Sequence, residues 1–319
     1  MPDARGAERR GGARARARAG GTARGAGCLG GTGQAGEMTT SREITFASGA
    51  THLAGLLALP GGPAPSGAGR AGVVLVGGSG PTDRDNGTYF PPLRARLLAS
   101  GFAVLSYDKR GVGASGGDWR AGGLAELADD ATAALARLRA EPGVDPAAVR
   151  LFGHSEGGWV ALRAAARAGP ERLVTSGCPA VTPAAQERHA LAVRGAASEV
   201  LGLYDRLIAA GRAGVGFAAA DELLARAGRP AALDPFWADV DARTWAFLVR
   251  KQDHDPLPDV ARLRCPHTAL YGADDPLVPV AASARAFAGA APRATAVLVP
   301  GAGHRPPAED VARALGAGE

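Results

Sequence analysis

Val149-Arg150-Leu151-Phe152-Gly153-His154-Ser155-Glu156-Gly157-Gly158-Trp159-Val160-Ala161-Leu162 decides how this chain folds. Its first four residues carry the hydrophobicity of a strand covered on both faces. A helical pattern starts at Trp159 and runs to Ala168. Between them stands Gly153-x-Ser155-x-Gly157. Between a strand and a helix, this spacing marks a turn so tight that its flanking positions must be small, and it lifts the serine hydroxyl clear of the sheet edge. The Glu156 N–H then lies at a helix N-terminus, aimed at an anion. A chance Gly-rich turn is the bland alternative in a chain with 47 glycines, and the flanking strand and helix weigh against it.

The same rhythm extends in both directions. Arg42–Ser48 and His52–Pro60 alternate like the two arms of a hairpin, followed by a Gly/Pro/Ser loop at 61–70. Gly72–Val76, Phe102–Tyr107, Leu173–Thr175, Thr268–Tyr271 and Ala296–Val299 are further short apolar runs of the buried-strand kind. Leu124–Arg139 places Leu124, Leu127, Leu135 and Leu138 at helical spacings. Strands alternating with helices predict an α/β fold, a mostly parallel, doubly wound sheet. Residues 180–258 break the rhythm with helical stripes alone, Val200, Leu203, Tyr204 and Leu207 in one and Phe236, Val240, Trp245 and Leu248 in another. They predict a helical cap inserted into a single domain of residues 38–319.

A serine hydroxyl needs a base, and the base an orienting acid. After a G-x-S-x-G turn the expected chain order is Ser, then Asp or Glu, then His. Thr268–Tyr271 runs into Gly272-Ala273-Asp274-Asp275-Pro276-Leu277-Val278-Pro279, which sets two carboxylates at the C-terminal end of a strand, where open α/β sheets build their sites. Ala296–Val299 runs into Pro300-Gly301-Ala302-Gly303-His304, an imidazole on a Gly-rich loop. His52, His189 and His254 have no such context and read as surface residues, His267 as the start of a strand, and His154 as packing beneath the turn. Gly77-Gly78-Ser79-Gly80-Pro81 leaves the strand Gly72–Val76 where a second N–H donor for an oxyanion is needed. The polar run Thr82–Asn86 after it is either a loop fixed by internal ion pairs or a solvated turn. Gly111-Val112-Gly113-Ala114-Ser115-Gly116 is a literal GxGxxG, but residues 117–123 separate it from the next helical pattern, so it does not open a helix on a pyrophosphate.

Taken in order, GGSGPTDRD, YDKRGVGAS, GHSEGG, GADDPLVP and GAGH resemble the α/β-hydrolase superfamily, in its serine esterase and serine aminopeptidase-like branch. The resemblance covers roughly residues 42–319. It implies Ser155 as nucleophile, His304 as base, and Asp275 rather than Asp274 as the acid, because that superfamily's acid commonly takes the last position of G-x-x-D before x-x-V-P. It likewise implies the Ser79 N–H as the oxyanion donor beside Glu156, with Gly78 the alternative, and a structural role for Tyr107–Ser115 at the floor of the site. The expected reaction is carboxylesterase-type hydrolysis of a small-molecule acyl substrate through an acyl-enzyme. No metal or organic cofactor is expected. Thioester cleavage, aminopeptidase action and a non-catalytic binding protein are the alternatives, and an aminopeptidase needs cap carboxylates, for which Asp239, Asp241 and Asp253 are the candidates.

Composition narrows the partners. The chain has 319 residues and a formal charge of +5, which suggests nucleic acid until its distribution is read. Seven arginines within residues 1–37, against Asp3, Glu8 and Glu37, account for four of those five charges. This Arg/Gly/Ala tail is expected to be disordered, with Met38 the expected true start, and a basic nucleic-acid arm is the alternative. No apolar run reaches the roughly 20 residues of a membrane span. Three cysteines, Cys28, Cys178 and Cys265, without CxxC spacing fit neither zinc nor a disulfide framework, so a cytoplasmic location is expected. The 34 arginines against two lysines, Lys109 and Lys251, read as compositional bias rather than function. Phe236, Trp237, Trp245 and Phe247 are candidates for an acyl pocket, with cap packing the commoner fate.

Overall fold

A computed structural model describes residues 39–62 and 69–318. The expectations placed on residues 1–37, Met38 and Cys28 lie outside these, as does most of the loop at 61–70.

The hairpin forms as β1 (Thr40–Ser48) and β2 (Thr51–Leu59), paired antiparallel. Six strands follow: β3 (Arg70–Val76), β4 (Ala103–Tyr107), β5 (Val144–His154), β6 (Leu173–Ser176), β7 (His267–Gly272) and β8 (Ala294–Val299). Together they make one eight-stranded sheet ordered β1-β2-β4-β3-β5-β6-β7-β8, parallel from β4 through β8. β3 shows why the runs are continuously apolar. Val74 and Val76 join the core under α2 (Leu124–Arg139) and α3 (Glu156–Ala168), while Val73 and Leu75 join the core under α1 (Phe90–Ala99) and α11 (Ala308–Ala314). Helices on both faces leave no strand face for water in the middle of the sheet.

β8 departs from the expectation. It is the edge strand, and Val297 and Leu298 are 44% and 50% exposed although the run reads like a buried strand. A continuous apolar run gives the strand but not its place in the order.

Between β6 and β7 the chain is helical: α4 (Pro183–Val193), α5 (Ser198–Arg212), α6 (Phe217–Arg226), α7 (Asp234–Trp237), α8 (Ala242–Lys251) and α9 (Leu257–Ala261). Residues of α4 to α8 build their own core around Leu203, Tyr204, Leu207, Leu224, Trp237 and Trp245. α8 is tied to the loop between β4 and α2, with Arg243 on Asp118, Asp241 on Arg120, and Arg250 donating to the Gly122 carbonyl. α10 (Val280–Ala290) follows β7. Because β3 to β8 run parallel, the loops that leave them gather along one edge beneath this cap, and Ser79, Ser155, Asp275 and His304 lie there.

Candidate active site

The turn after β5 is as tight as its glycines demand. Ser155 sits at φ 53°, ψ −123°, a conformation that side-chain-bearing residues rarely hold without surrounding constraint. A Cβ on Gly153 would stand 2.3 Å from the Gly157 carbonyl oxygen, and one on Gly157 only 2.4 Å from that of Gly77. The elbow therefore packs directly on the loop that leaves β3. Beneath it His154 is buried with Nδ1 3.0 Å from Ser176 Oγ. Burial, with His304 and Arg305 nearby, pushes its titration well below the usual histidine range, so it is neutral near pH 7.

His304, on the loop after β8, and Asp275, on the loop after β7, meet across 29 residues of chain. His304 Nδ1 lies 2.7 Å from Asp275 Oδ2, while the other carboxylate oxygen accepts from the Leu277 N–H at 2.8 Å. A carboxylate only accepts, so the proton belongs on Nδ1 and Nε2 is left as the acceptor. The Asp275 side chain is fully buried, whereas Asp274 is exposed and meets the His304 loop only through its backbone, its N–H donating to the Ala302 carbonyl. Ser155, His154 and His304 border one cleft of about 750 Å³, which Ser79, Thr82, Asp83, Glu187, Arg194 and Arg305 help to line.

In the loop after β3, the two candidate donors differ. The Gly78 N–H donates to Asn86 Oδ1 at 3.3 Å, so Gly78 is engaged, whereas neither the Ser79 nor the Glu156 N–H has a partner among the described residues. The polar run behind it is anchored outward rather than internally. Arg84 pairs with Asp108 and Glu43, and Asp85 with Arg94. Within the turn there are hydrogen bonds but no ion pairs: Asp83 accepts from the Asp85 and Gly87 N–H groups, and Thr82 Oγ1 donates to the Gly78 carbonyl. The GxGxxG stretch closes on itself, the Gly111 N–H donating to the Gly116 carbonyl, and opens no helix.

A second cavity, of about 190 Å³, runs from Ser155 into the cap. Trp159, Tyr204, Ile208, Phe236, Trp245 and Leu248 supply its apolar wall. Of the four aromatic candidates Phe236 and Trp245 line it. Trp237 packs between Phe217 and Trp245, and Phe247 against Trp119. Asp239, Asp241 and Asp253 do not reach either cavity: Asp239 is exposed, Asp241 caps α8, and Asp253 pairs with Arg212. A cap carboxylate that does is Glu187 of α4, which borders both cavities, and burial raises its titration against the pull of Arg194 and Lys251. Nothing in the sequence around Glu187 marked it. His254 is also not the surface residue expected: it packs on Trp159 with Nε2 buried and without a partner among the described residues. Among those residues no cluster of three His, Cys, Asp or Glu stands ready for a metal ion, and no helix is long and apolar enough to cross a membrane.

Residues 70–310 match the family described as serine aminopeptidase, S33. The chain belongs to that family. Among solved structures, an esterase of Pyrococcus furiosus is 17% identical with a TM-score of 0.54, the likeness covering 83% of each chain. A proline iminopeptidase of Mycobacterium smegmatis is 18% identical with a TM-score of 0.58, covering 87% of this chain and all (100%) of that one. A bromoperoxidase of Bacillus anthracis, 20% identical, has a TM-score of 0.52 over 82% of this chain and 93% of its own. At these identities the likeness fixes the α/β-hydrolase fold and not the substrate. No curated protein gives a significant match.

Proposed function

We propose that this member of the S33 family is a carboxylesterase-type serine hydrolase. The observation that carries the reading is the 2.7 Å contact of His304 Nδ1 with Asp275 Oδ2, at one cleft with a serine held at φ 53°. Ser155 Oγ attacks the acyl carbonyl as His304 Nε2 takes its proton, and Asp275 holds the ring in that tautomer and stabilises the imidazolium. The Ser79 and Glu156 N–H groups, free of other partners, receive the oxyanion. His304 then protonates the leaving alcohol, and water, activated by the same imidazole, releases the acid.

The two cavities divide the substrate. His304 borders only the larger cleft, so the leaving group it protonates lies there, beside Arg194 and Arg305. The acyl chain takes the cap cavity with its aromatic wall, whose volume suits a small or medium chain. Glu187 favours a second reading, since a carboxylate beside an acyl cavity suits a substrate ammonium, as in an aminoacyl amide or ester. The buried, unpaired thiols of Cys178 and Cys265 fit a reducing compartment, which supports a cytoplasmic site of action.

Hydrolysis of p-nitrophenyl esters from acetate to laurate, beside aminoacyl p-nitroanilides, separates these readings. The ester reading expects turnover peaking at short or medium chains. Turnover of the anilides alone, abolished in Glu187→Gln, would favour the second.

A further inference from the structure

In a chain with 36 basic residues only Lys109 and Lys251 are lysines, and both end on one carboxylate. Lys109 Nζ donates to Glu156 Oε1 at 3.0 Å, and Lys251 Nζ to Glu156 Oε2. All three side chains are at least nine-tenths buried. They come from three places: the loop after β4, the first residue of α3, and the last of α8. Trp119 and Phe247 present ring faces to the two ammonium groups, at 5.7 and 4.9 Å.

Lys109 makes a further bond, donating to the Gly78 carbonyl at 2.6 Å. Across a trans peptide the C=O and N–H point in opposite directions. Fixing the Gly78 carbonyl on Lys109 therefore turns the Ser79 N–H away from Lys109, while Asn86 holds the Gly78 N–H on the preceding peptide. One ammonium thus holds the side chain of Glu156 and the peptide that carries the Ser79 N–H. A compact, three-donor ammonium can serve a carbonyl and a carboxylate from one nitrogen, which the planar fork of arginine does not match. Burial and the neighbouring Lys251 lower the Lys109 titration, and the Glu156 carboxylate opposes them. Burial tends to raise the Glu156 carboxyl, but the two lysines prevail and hold it at about 2, so it stays ionised.

We propose that Lys109 is a positioning residue for acyl transfer at Ser155: by holding the Gly78 carbonyl and the Glu156 carboxylate it aims the oxyanion donors, with Lys251 making the cap helix α8 a third support. The proposal rests on the reading of Ser155 as an acyl nucleophile, and it ties the oxyanion site to the seating of the cap.

The test compares the full-length wild type with Lys109→Met and Lys109→Arg on p-nitrophenyl butyrate, with phenylboronic acid as an oxyanion-like inhibitor and fluorophosphonate labelling of Ser155. Lys109→Met is expected to lose about 10²-fold in kcat, the scale of one misaimed oxyanion donor, with KM little changed. Its affinity for the boronic acid falls by a similar factor, which a generally loosened fold would not produce without raising KM. Lys109→Arg, keeping the charge but not the two-way bond, recovers only part of the loss. A folded Lys109→Met with wild-type kcat and boronate affinity overturns the proposal. Where Lys109→Met does not fold, Lys109→Arg decides, and wild-type kcat in that variant overturns it. A wild type that neither turns over nor labels overturns the Ser155 reading itself, an outcome distinct from an active, labelled wild type indifferent to Lys109.

Discussion

Gly177, one residue beyond β6, lies against the imidazole of His304. At φ +55°, a Cβ there would stand 2.9 Å from His304 Cε1 and 2.9 Å from the His304 carbonyl oxygen. The position demands glycine twice, for its backbone conformation and for the space the histidine occupies. Gly177→Ala should displace His304 from Asp275 and lower kcat by about 10–10²-fold with a smaller change in KM, since a shift of about 1 Å can cost about 10²-fold. Steady-state kinetics on one ester checks this, and an unchanged kcat would show that His304 tolerates the shift.

Asp275 is fully buried and accepts from both His304 and the Leu277 N–H. Asp275→Asn preserves the shape while presenting an amide that can hold the wrong imidazole tautomer. We expect kcat to fall by about 10⁴-fold with the fold intact. Asp274→Asn, which leaves the His304 contact untouched, should stay within about threefold of wild type, inside the normal range for a surface change. Reversal of these two effects would return the acid's role to Asp274.

The match between sequence and structure follows from what each signal measures. Strands β3 to β7 were legible because burial on both faces writes a continuous apolar run into the sequence. β8 carries the same run at the sheet edge, so its exposure was not. Ser155 and His304 stand out because each lies on the loop that leaves a strand and chain order leads from one to the other, while Asp275 was preferred to Asp274 only through the resemblance to the α/β-hydrolase superfamily. Lys251 meets Glu156 across 95 residues, Glu187 reaches the site from within the cap, and Gly177 is one glycine among 47. Such residues carry no local pattern, because their roles are made by tertiary packing alone.

A buried histidine outside the site should set part of the acid lability. His267 pairs Nε2 with Thr175 Oγ1 at 3.0 Å, its Nδ1 has no partner among the described residues, and burial lowers its titration from 6.5 to about 4. As pH falls below 6.5 the unfolded chain takes up a proton that the folded His267 accepts only near 4, so stability drops across that window and this contribution levels off beneath it. The slope is at most about 1.4 kcal/mol per pH unit for this one group. Thermal melts between about pH 7 and about pH 4 should therefore show a shallower fall in Tm for His267→Gln than for wild type. Parallel curves would place the acid sensitivity elsewhere.

Trapping the acyl-enzyme tests the role of Ser155 most directly. The protein is mixed with a p-nitrophenyl ester, quenched in acid within the first turnover, and mapped by peptide mass spectrometry beside Ser155→Ala. We expect one acyl adduct, on the peptide that contains Ser155, and its absence from a Ser155→Ala variant whose kcat has dropped by about 10⁶-fold. An adduct on another residue, or a Ser155→Ala protein that still hydrolyses the ester at the wild-type rate, would contradict that role.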